Sequence, residues 1–415
     1  MNTVLKTGVS RRSFMRILGA ASVAATSLPA FGTARQAVVP APSQPARRRR
    51  GMMSMYPSDM VVISANENPL GPAQSALTAL CSTAASGGRY HEEEYAKTID
   101  VFNEQYGLKS GYSAFFPGSS GPLDLALMSN LSPDKPLVYA DPSYEQGPLA
   151  ADTMKAQKFP IPLTSTYAHD VKAMLKAHPS PGAYYVVNPN NPTGTVTPKA
   201  DLVWLVKNKP KGSVVIIDEA YQHFSDAESC LDLVAQDQDV IVLRTFSKIY
   251  GMAGLRAGFA VARPDLLERF NTVGVPYLSL ASPSITSAVA ARASLQDKEL
   301  VPLRKKINAD VREETLAFLA KHGYKTIPGS QGNMFLVDVQ RPGREFQHAM
   351  LKENVAIGRT WASMPQYVRV TVGTKAEMSK FESAFVKCMD MAPGSANGAQ
   401  LHLPDFAVPS ELLRA

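Results

Sequence analysis

Five apolar segments of strand length recur through the middle of the chain and alternate with helical stretches. They are PLVYAD (136–141), AYYVVN (183–188), SVVIID (213–218), DVIVLRT (239–245) and AGFAVA (257–262). The central three are uninterrupted apolar runs, which is typical of strands covered on both faces of a sheet. The alternation predicts a mostly parallel sheet flanked by helices, so the expected fold class is α/β with this sheet as the large domain.

The pattern changes near residue 300, where a charged helix (300–322) begins and shorter strands follow. MFLVDV, VAIG and VRVTVG are predicted as strands, with helices near 344–354 and at 375–389. These segments predict a smaller α+β domain beside the main sheet. The predicted organisation is a signal peptide (1–34), a flexible Pro/Ala/Arg-rich leader (35–60), an N-terminal arm with the large domain (61–299), a small C-terminal domain (300–390) and a tail (391–415).

The N-terminus has the pattern of a cleavable export signal. In SRRSFMRILGAASVAATSLPAFGTA a pair of arginines, Arg11 and Arg12, precedes a short run of small and apolar residues. The run is too short for a permanent membrane anchor. It resembles a twin-arginine signal, whose route carries folded proteins, which implies a periplasmic location, or a cytoplasmic one if the signal is not used. The alternative is a basic disordered tail.

Charge and cysteine content exclude several classes of function. Residues 1–50 contain nine Lys and Arg residues and no acid, which exceeds the formal net charge of +7 of the whole chain, so the folded body is slightly acidic. A nucleic-acid footprint on the body is therefore unsupported. The three cysteines lie far apart without Cys/His spacing, so neither a disulfide framework nor a metal site is indicated, and an odd count favours folding in a reducing compartment.

Polar residues follow four of the predicted strands at the point where each strand ends. They are Asp141 to Tyr144, Asn188 to Gly194, Asp218 to Tyr221, and Ser247 with Lys248. In an open parallel sheet, ligands bind at the carboxyl ends of the strands. The sequence therefore predicts one crevice that is lined by all four segments.

Lys248 is either a solvated loop residue or a nucleophile held in that crevice. A lysine with a lowered pKa can form a Schiff base with a carbonyl compound, of which pyridoxal phosphate is the usual one. Such a cofactor needs amide, hydroxyl and cationic groups for its phosphate, a carboxylate for its ring nitrogen and donors for its phenolic oxygen.

The sequence offers candidates for each of these three groups. Asp218 is the carboxylate candidate, although a helix cap or a metal ligand would use the same residue type. Tyr221 and Asn191 could donate to the phenolic oxygen, and Tyr144 could lie on the cofactor face or simply pack. The phosphate candidates are Gly118, Ser119 and Ser120 in PGSSG, joined by Ser247 and Arg256.

Taken together, the motifs resemble fold-type I pyridoxal-phosphate aminotransferases of class I/II, and among them the histidinol-phosphate aminotransferase group. The resemblance runs from about Asn66 to Cys388. It rests on NENPLG, RY, PGSSG, DPSY, NPNNPTG, DEAY, TFSK, GLRAGF and VRVTVGT in the order of the family.

The resemblance implies a role for each matching residue. Lys248 would form the Schiff base and move a proton, Asp218 would hold the ring nitrogen, and Tyr221 with Asn191 would hold the phenolic oxygen. Tyr90 would reach the phosphate of a partner subunit, which implies a homodimer with shared active sites. Arg369 in VRVTVGT would bind the substrate carboxylate.

Departures from the family pattern concern the substrate. PGSSG and RYHE differ from the usual motifs, and VAIGRTWASMP places Arg359 and Trp361 where the group has a recognition arginine. Arg359 could hold a distal phosphate or carboxylate, or pair with an acid, whereas Trp361 is expected to pack. Asn66 is assigned to substrate binding with Arg359 and Arg369.

The predicted activity is transamination between an amino acid and a 2-oxo acid in two half-reactions. Histidine biosynthesis fits poorly with an export signal, so histidinol phosphate is not assigned as the substrate. The alternatives are a decarboxylase or lyase of the same fold, and a non-catalytic protein that binds the cofactor and an amino acid. A bound cofactor would have to be loaded before export.

Overall fold

A computed structural model describes residues 56–57, 59–273 and 283–391 of the chain. The described residues contain eleven strands. The strands are β1 (Val61–Ile63), β2 (Ser113–Phe116), β3 (Leu137–Asp141), β4 (Lys158–Pro162), β5 (Ala183–Val187), β6 (Val214–Asp218), β7 (Val240–Thr245), β8 (Gly258–Val261), β9 (Met334–Asp338), β10 (Val355–Ile357) and β11 (Tyr367–Thr371).

Helices separate most of these strands. They are α1 (Gln74–Ala84), α2 (Glu92–Tyr106), α3 (Ser120–Met128), α4 (Gln146–Thr153), α5 (Val171–Lys176), α6 (Lys199–Asn208), α7 (Leu231–Ala235), α8 (Pro264–Glu268), α9 (Ile285–Gln296), α10 (Leu300–Lys321), α11 (Gly343–Lys352) and α12 (Lys375–Asp390). Short 3-10 turns lie at Gln222–Phe224, Ala253–Leu255 and Arg269–Thr272.

Seven strands form the main sheet in the order β2-β8-β7-β6-β5-β3-β4. The pairs from β7 across to β4 are parallel, and β8 runs antiparallel to both of its neighbours. The fold is therefore α/β with a mostly parallel sheet, as predicted. All five apolar segments named above form strands of this sheet.

The sheet is covered on both faces, which explains the uninterrupted apolar runs. Along β6, Val215 and Ile217 belong to one core cluster, whereas Val214 and Ile216 belong to the cluster on the opposite face. Every residue of β5, β6 and β7 is buried. Side chains that alternate between two cores are mostly apolar, and the buried polar residues of these strands, such as Asp218 and Arg244, lie at or near the strand ends.

The sequence analysis missed two strands of the main sheet, β2 and β4. β4 lies at the edge and contains Pro160 and Pro162, which are tolerated there because one side of an edge strand has no partner. Lys158, Pro160 and Pro162 are exposed and the other two residues are partly buried, so the apolar signal is weak. β2 has four residues and no flanking apolar run.

A separate core lies among the C-terminal elements. β9 pairs antiparallel with β11, and β1 pairs parallel with β10, so the first described strand joins the C-terminal layer. The predicted organisation placed residues 61–63 with the large domain, because a pairing across nearly 300 residues leaves no local signal. Val61 and Ile63 pack in the same cluster as Phe335, Phe381 and other C-terminal residues.

The signal peptide (1–34), nearly all of the leader and the tail after residue 391 lie outside the described residues. Their boundaries, and the boundary between the two domains, stay predictions. Within the described ranges, no helix is long and apolar enough to cross a membrane.

Candidate active site

Strand pairing places the predicted site segments together at the carboxyl ends of the parallel strands of the main sheet. Asp218 ends β6, and its register partners are Val187 at the end of β5 and Leu243 near the end of β7. Lys248 follows β7 by three residues. Since the three strands are parallel, the segments that follow them leave the sheet on the same side.

Lys248 is partly buried rather than fully solvated. Its Nζ donates to the backbone oxygen of Ala65 at 3.2 Å and lies 5.6 Å from the centre of the Tyr221 ring. Burial, with a smaller contribution from Arg369, lowers the pKa of Lys248 to about 8, against the attraction of Asp218. A lysine in these surroundings has an appreciable neutral fraction near neutral pH, as a nucleophilic amine needs.

Asp218 is a buried acid that is bound by neutral donors. The hydroxyl of Tyr185 donates to Oδ2 at 3.2 Å and the backbone N–H of Ala220 donates to Oδ1 at 3.0 Å. Burial raises the pKa of Asp218 to about 6. In the part of the chain that is described, this carboxylate forms no salt bridge, and no group of acids, histidines and cysteines could hold a metal ion. The Asp218 carboxylate could therefore pair with a positively charged group of a bound ligand.

The next residue, Glu219, is buried as well but has its own cation. Oε2 lies 2.9 Å from Nη2 of Arg244, and the backbone N–H of Cys230 donates to Oε1. Arg244 also donates to Gln222 and Ser229. Sequence reasoning missed this pair, because only the three-dimensional register of β6 and β7 brings Glu219, which directly follows β6, to Arg244 on β7.

The residues predicted for phosphate binding lie together at the start of α3, in a group that we call the cradle. Ser119 precedes α3 and makes no side-chain capping bond to the first N–H groups of the helix. Gly118 has a φ of +90°, which L side chains rarely adopt, and a Cβ there would also meet the Arg256 guanidinium, so glycine suits this position. Arg256 also donates to Oγ of Ser247 at 3.4 Å. Ser120 begins the helix.

These two features fit pyridoxal phosphate. The cradle combines helix N–H groups, hydroxyls and a guanidinium, which is the donor set that a phosphate prefers. Asp218 supplies a buried acid that lacks a bound cation, which fits a protonated ring nitrogen. Lys248, which directly follows Ser247, supplies the amine.

Tyr221 and Asn191 have partners within the chain. The hydroxyl of Tyr221 accepts from Nδ2 of Asn66 at 3.1 Å, so Asn66, assigned to substrate binding, is fully buried against Tyr221. Oδ1 of Asn191 accepts from Nη1 of Arg369 at 2.8 Å, which leaves the amide nitrogen as its donor.

Arg369 lies on β11, and its side chain reaches Asn191 at the carboxyl end of the main sheet. Nη2 donates to the backbone oxygen of Ser64 at 2.6 Å, while the buried Nε has no hydrogen-bond partner in the described structure. Burial, with a smaller contribution from neighbouring Arg359, lowers the pKa of Arg369 to about 10. A buried guanidinium with a free N–H suits a carboxylate ligand.

Arg359 pairs with an acid, one of the two alternatives drawn from the sequence. Its Nη2 lies 2.5 Å from Oε2 of Glu145. Trp361 is buried, as expected, and donates to the backbone oxygen of Ser143 at 2.9 Å. Glu145 was missed, although it directly follows the DPSY motif.

Two predicted residues differ in their surroundings from the rest. Tyr144 is partly buried and its hydroxyl donates to Gln146 at 3.0 Å. Tyr90 is 88 % exposed. The fold therefore does not bring Tyr90 into the crevice of its own chain.

Comparisons with known proteins agree with this geometry. The family model described as aminotransferase class I and II matches residues 58–385. A histidinol-phosphate aminotransferase from Moorella thermoacetica is 32% identical over 330 residues, which cover 78% of this chain and 84% of the relative. Histidinol-phosphate aminotransferase 1 from Nitrosococcus oceani is 32% identical over 327 residues, covering 77% of this chain and 86% of the relative.

A solved structure has the same fold. It is the histidinol-phosphate aminotransferase from Sinorhizobium meliloti in complex with pyridoxal-5'-phosphate, which aligns with a TM-score of 0.72 at 23% identity, covering 80% of this chain and 90% of that one.

Proposed function

The chain belongs to the family of class I and II aminotransferases, and from this premise we propose that Lys248, Asp218 and Arg369 are its central active-site residues. Pyridoxal-5'-phosphate-dependent transamination is the activity of the family and of this chain. The relatives are named aminotransferases, which favours transamination over the decarboxylase and binding-protein alternatives.

The bound cofactor supplies a carbonyl that captures the amino group and a ring that withdraws electrons from the substrate α-carbon. The protein holds its phosphate with Gly118, Ser119, Ser120, Ser247 and Arg256. Arg256 contributes charge, and the start of α3 contributes N–H groups, so the anion is bound from two sides.

Lys248 acts as the proton carrier of the reaction. Its Nζ would accept the proton that leaves the α-carbon of the substrate. The lowered pKa of about 8 favours this role, because a base with a pKa near the working pH is present in its free form without being too weak.

Asp218 holds the ring nitrogen in its protonated form, and Tyr221 with Asn191 donates toward the phenolic oxygen. Burial disfavours the charged form of Asp218 while it is unpaired. A cationic ring nitrogen at hydrogen-bond distance would restore the charged carboxylate. The same interaction keeps the ring a strong electron acceptor.

Arg369 binds the α-carboxylate of the amino acid and of the 2-oxo acid. Its guanidinium is held by Asn191 and Ser64 and has a free Nε. The observation that carries the proposal is that the buried Asp218 and Arg369 and the partly buried Lys248 lie together at the carboxyl ends of the strands of the main sheet.

Transfer of a nitrogen label tests this function. Purified holoenzyme is incubated with ¹⁵N-labelled amino acids and unlabelled 2-oxo acids, and products are identified by mass spectrometry. We expect the label in a new amino acid. Release of carbon dioxide from the donor without label transfer would contradict transamination.

Export through the twin-arginine route is the second part of the proposal. It is supported by Arg11 and Arg12 followed by the short apolar run, and it gives a periplasmic location. Because this route carries folded proteins, the cofactor is loaded in the cytoplasm. A reporter fused to residues 1–40 should be exported, and a fusion carrying Arg11→Lys and Arg12→Lys should remain in the cytoplasm. Cytoplasmic retention of the unaltered fusion would refute this part.

The third part is a homodimer in which Tyr90 reaches the phosphate of the partner subunit. The 88 % exposure of Tyr90 supports this role, since a large aromatic side chain without intrachain cover is typical of a contact surface. Analytical ultracentrifugation should give a dimer, and Tyr90→Ala should weaken cofactor retention. A monomer with full activity would refute it.

A further inference from the structure

Four side chains form a cluster beside the carboxylate site, which we call the substrate corner: Glu145, Arg359, Trp361 and Arg369. The guanidinium carbons of Arg359 and Arg369 lie 5.2 Å and 5.6 Å from the centre of the Trp361 ring. Glu145 neutralises Arg359 through the 2.5 Å contact. Tyr144, expected to contact the cofactor, is the neighbour of Glu145 in sequence.

The ion pair is held in place by contacts on both of its segments. Trp361, two residues after Arg359, donates to the backbone oxygen of Ser143, two residues before Glu145. Ser363 donates to Oδ1 of Asp141 at 3.0 Å. Three contacts thus join residues 141–145 to residues 359–363, so the carboxylate of Glu145 faces Arg359 before any substrate binds.

We propose that Glu145 makes the site selective for substrates with one anionic group, by occupying the arginine that would otherwise bind a second anion. The inference rests on the proposed function, since it assumes that Arg369 takes the α-carboxylate. The substrates are then monocarboxylic amino acids and 2-oxo acids with an uncharged distal group.

Charge supports this reading. Glu145 and Arg359 are 43 % and 38 % exposed, and a pair in such a position adds little to stability. Its effect on a ligand is larger, because a distal carboxylate or phosphate would meet the carboxylate of Glu145 as it approached Arg359. Specificity can come from such a repulsive element as well as from an added attraction.

Glutamine and glutamate provide a matched pair of donors, since they differ in the charge of the distal group and hardly in shape. With the holoenzyme, kcat/KM for the reaction of each donor is measured by stopped flow. We expect glutamine to exceed glutamate by about tenfold or more. A preference for glutamate in the unaltered protein would overturn the inference without any variant.

Variants of the substrate corner distinguish the repulsion of a second anion by Glu145 from its attraction by Arg359. Glu145→Gln removes the negative charge and frees Arg359, so the glutamate to glutamine ratio of kcat/KM should rise about tenfold or more. The double variant Glu145→Gln with Arg359→Gln should lose that gain, because the freed cation is gone. An equal change for both donors in Glu145→Gln would overturn the inference.

A binding measurement keeps this test independent of turnover. Glutarate and its monoamide lack the amino group, and calorimetry of the holoenzyme gives their dissociation constants. The monoamide should bind more tightly to the unaltered protein, and Glu145→Gln should reverse the order. The same order in both proteins would overturn the inference. Failure of every amino acid to transfer nitrogen would instead count against the proposed function.

Discussion

Two buried acids stand next to each other in the chain and have opposite surroundings. Glu219 lies 2.9 Å from the Arg244 guanidinium and accepts further bonds from Ser229 and Cys230. Among the described residues, the Asp218 carboxylate accepts from the neutral Tyr185 hydroxyl and the Ala220 N–H, and burial raises its pKa to about 6. One acid has its cation within the protein, and the other fits a cation from the cofactor.

The two acids therefore have different roles: Glu219 stabilises the fold, whereas Asp218 serves the reaction. A buried charge that is fully paired holds two strands in register, and removing one partner leaves the other unpaired at high cost. A buried acid without a cation gives up stability for a function. The last residue of β6 and the residue that follows it divide the two tasks, because Asp218 is bound by neutral donors and Glu219 by the Arg244 guanidinium.

The largest effect is expected on the reaction side, at Lys248. Lys248→Ala removes both the anchor of the cofactor and the proton carrier, so transamination should fall by roughly 10⁴-fold or more. The measurement is steady-state kcat/KM for the best donor. Lys306→Ala, at an exposed lysine on α10, is the matched control and should keep full activity.

Asp218→Asn should produce the next largest loss. The amide cannot stabilise a protonated ring nitrogen, so the rate should fall by roughly 10²-fold or more. The free energy of unfolding of the cofactor-free protein should not fall, because no ion pair is broken. If Asp218→Asn instead lost stability while the rate per folded molecule was unchanged, Asp218 would be a residue that stabilises the fold.

Glu219→Gln should show the reverse pattern. It leaves Arg244 buried without its counter-ion, and the free energy of unfolding should fall by about 3 kcal/mol, measured by urea denaturation. The rate per folded molecule should change little. Glu228→Gln, which alters an acid that is 78 % exposed, should shift stability by no more than about 0.5 kcal/mol.

The smallest effect is a pH dependence of stability in the cofactor-free protein. The folded-state pKa of Asp218, about 6, lies above the ordinary value of 3.8, so the folded protein binds more protons than the unfolded chain between these values. The contribution of Asp218 to stability is therefore fully present below pH 3.8 and is lost as the pH rises through about 6. This decline should be absent from Asp218→Asn.

Much of the reaction centre follows from sequence because it uses local signals. Asn188 directly follows β5, Asp218 ends β6, and Lys248 lies three residues after β7. Because these strands are parallel, the sheet brings the three residues to the same side. Glycine at position 118 also has a local reason, a φ of +90° against a guanidinium.

The remainder depends on contacts between distant segments. The Glu145 and Arg359 pair joins residues more than 200 positions apart, and β1 pairs with β10 across nearly 300. No spacing rule in the sequence encodes such partners. Arg359 was therefore left between an anion site and an ion pair, and Asn66 was assigned to the substrate although its amide is bound to Tyr221.

The most direct test of the central claim is the absorption spectrum of the holoenzyme while single amino acids are added without an acceptor. Transamination through Lys248 predicts that one donor converts the visible band of the lysine-bound cofactor to the amine form. A matching 2-oxo acid should then restore the band. A band that no amino acid changes, or a cofactor spectrum that is the same in Lys248→Ala, would contradict the account.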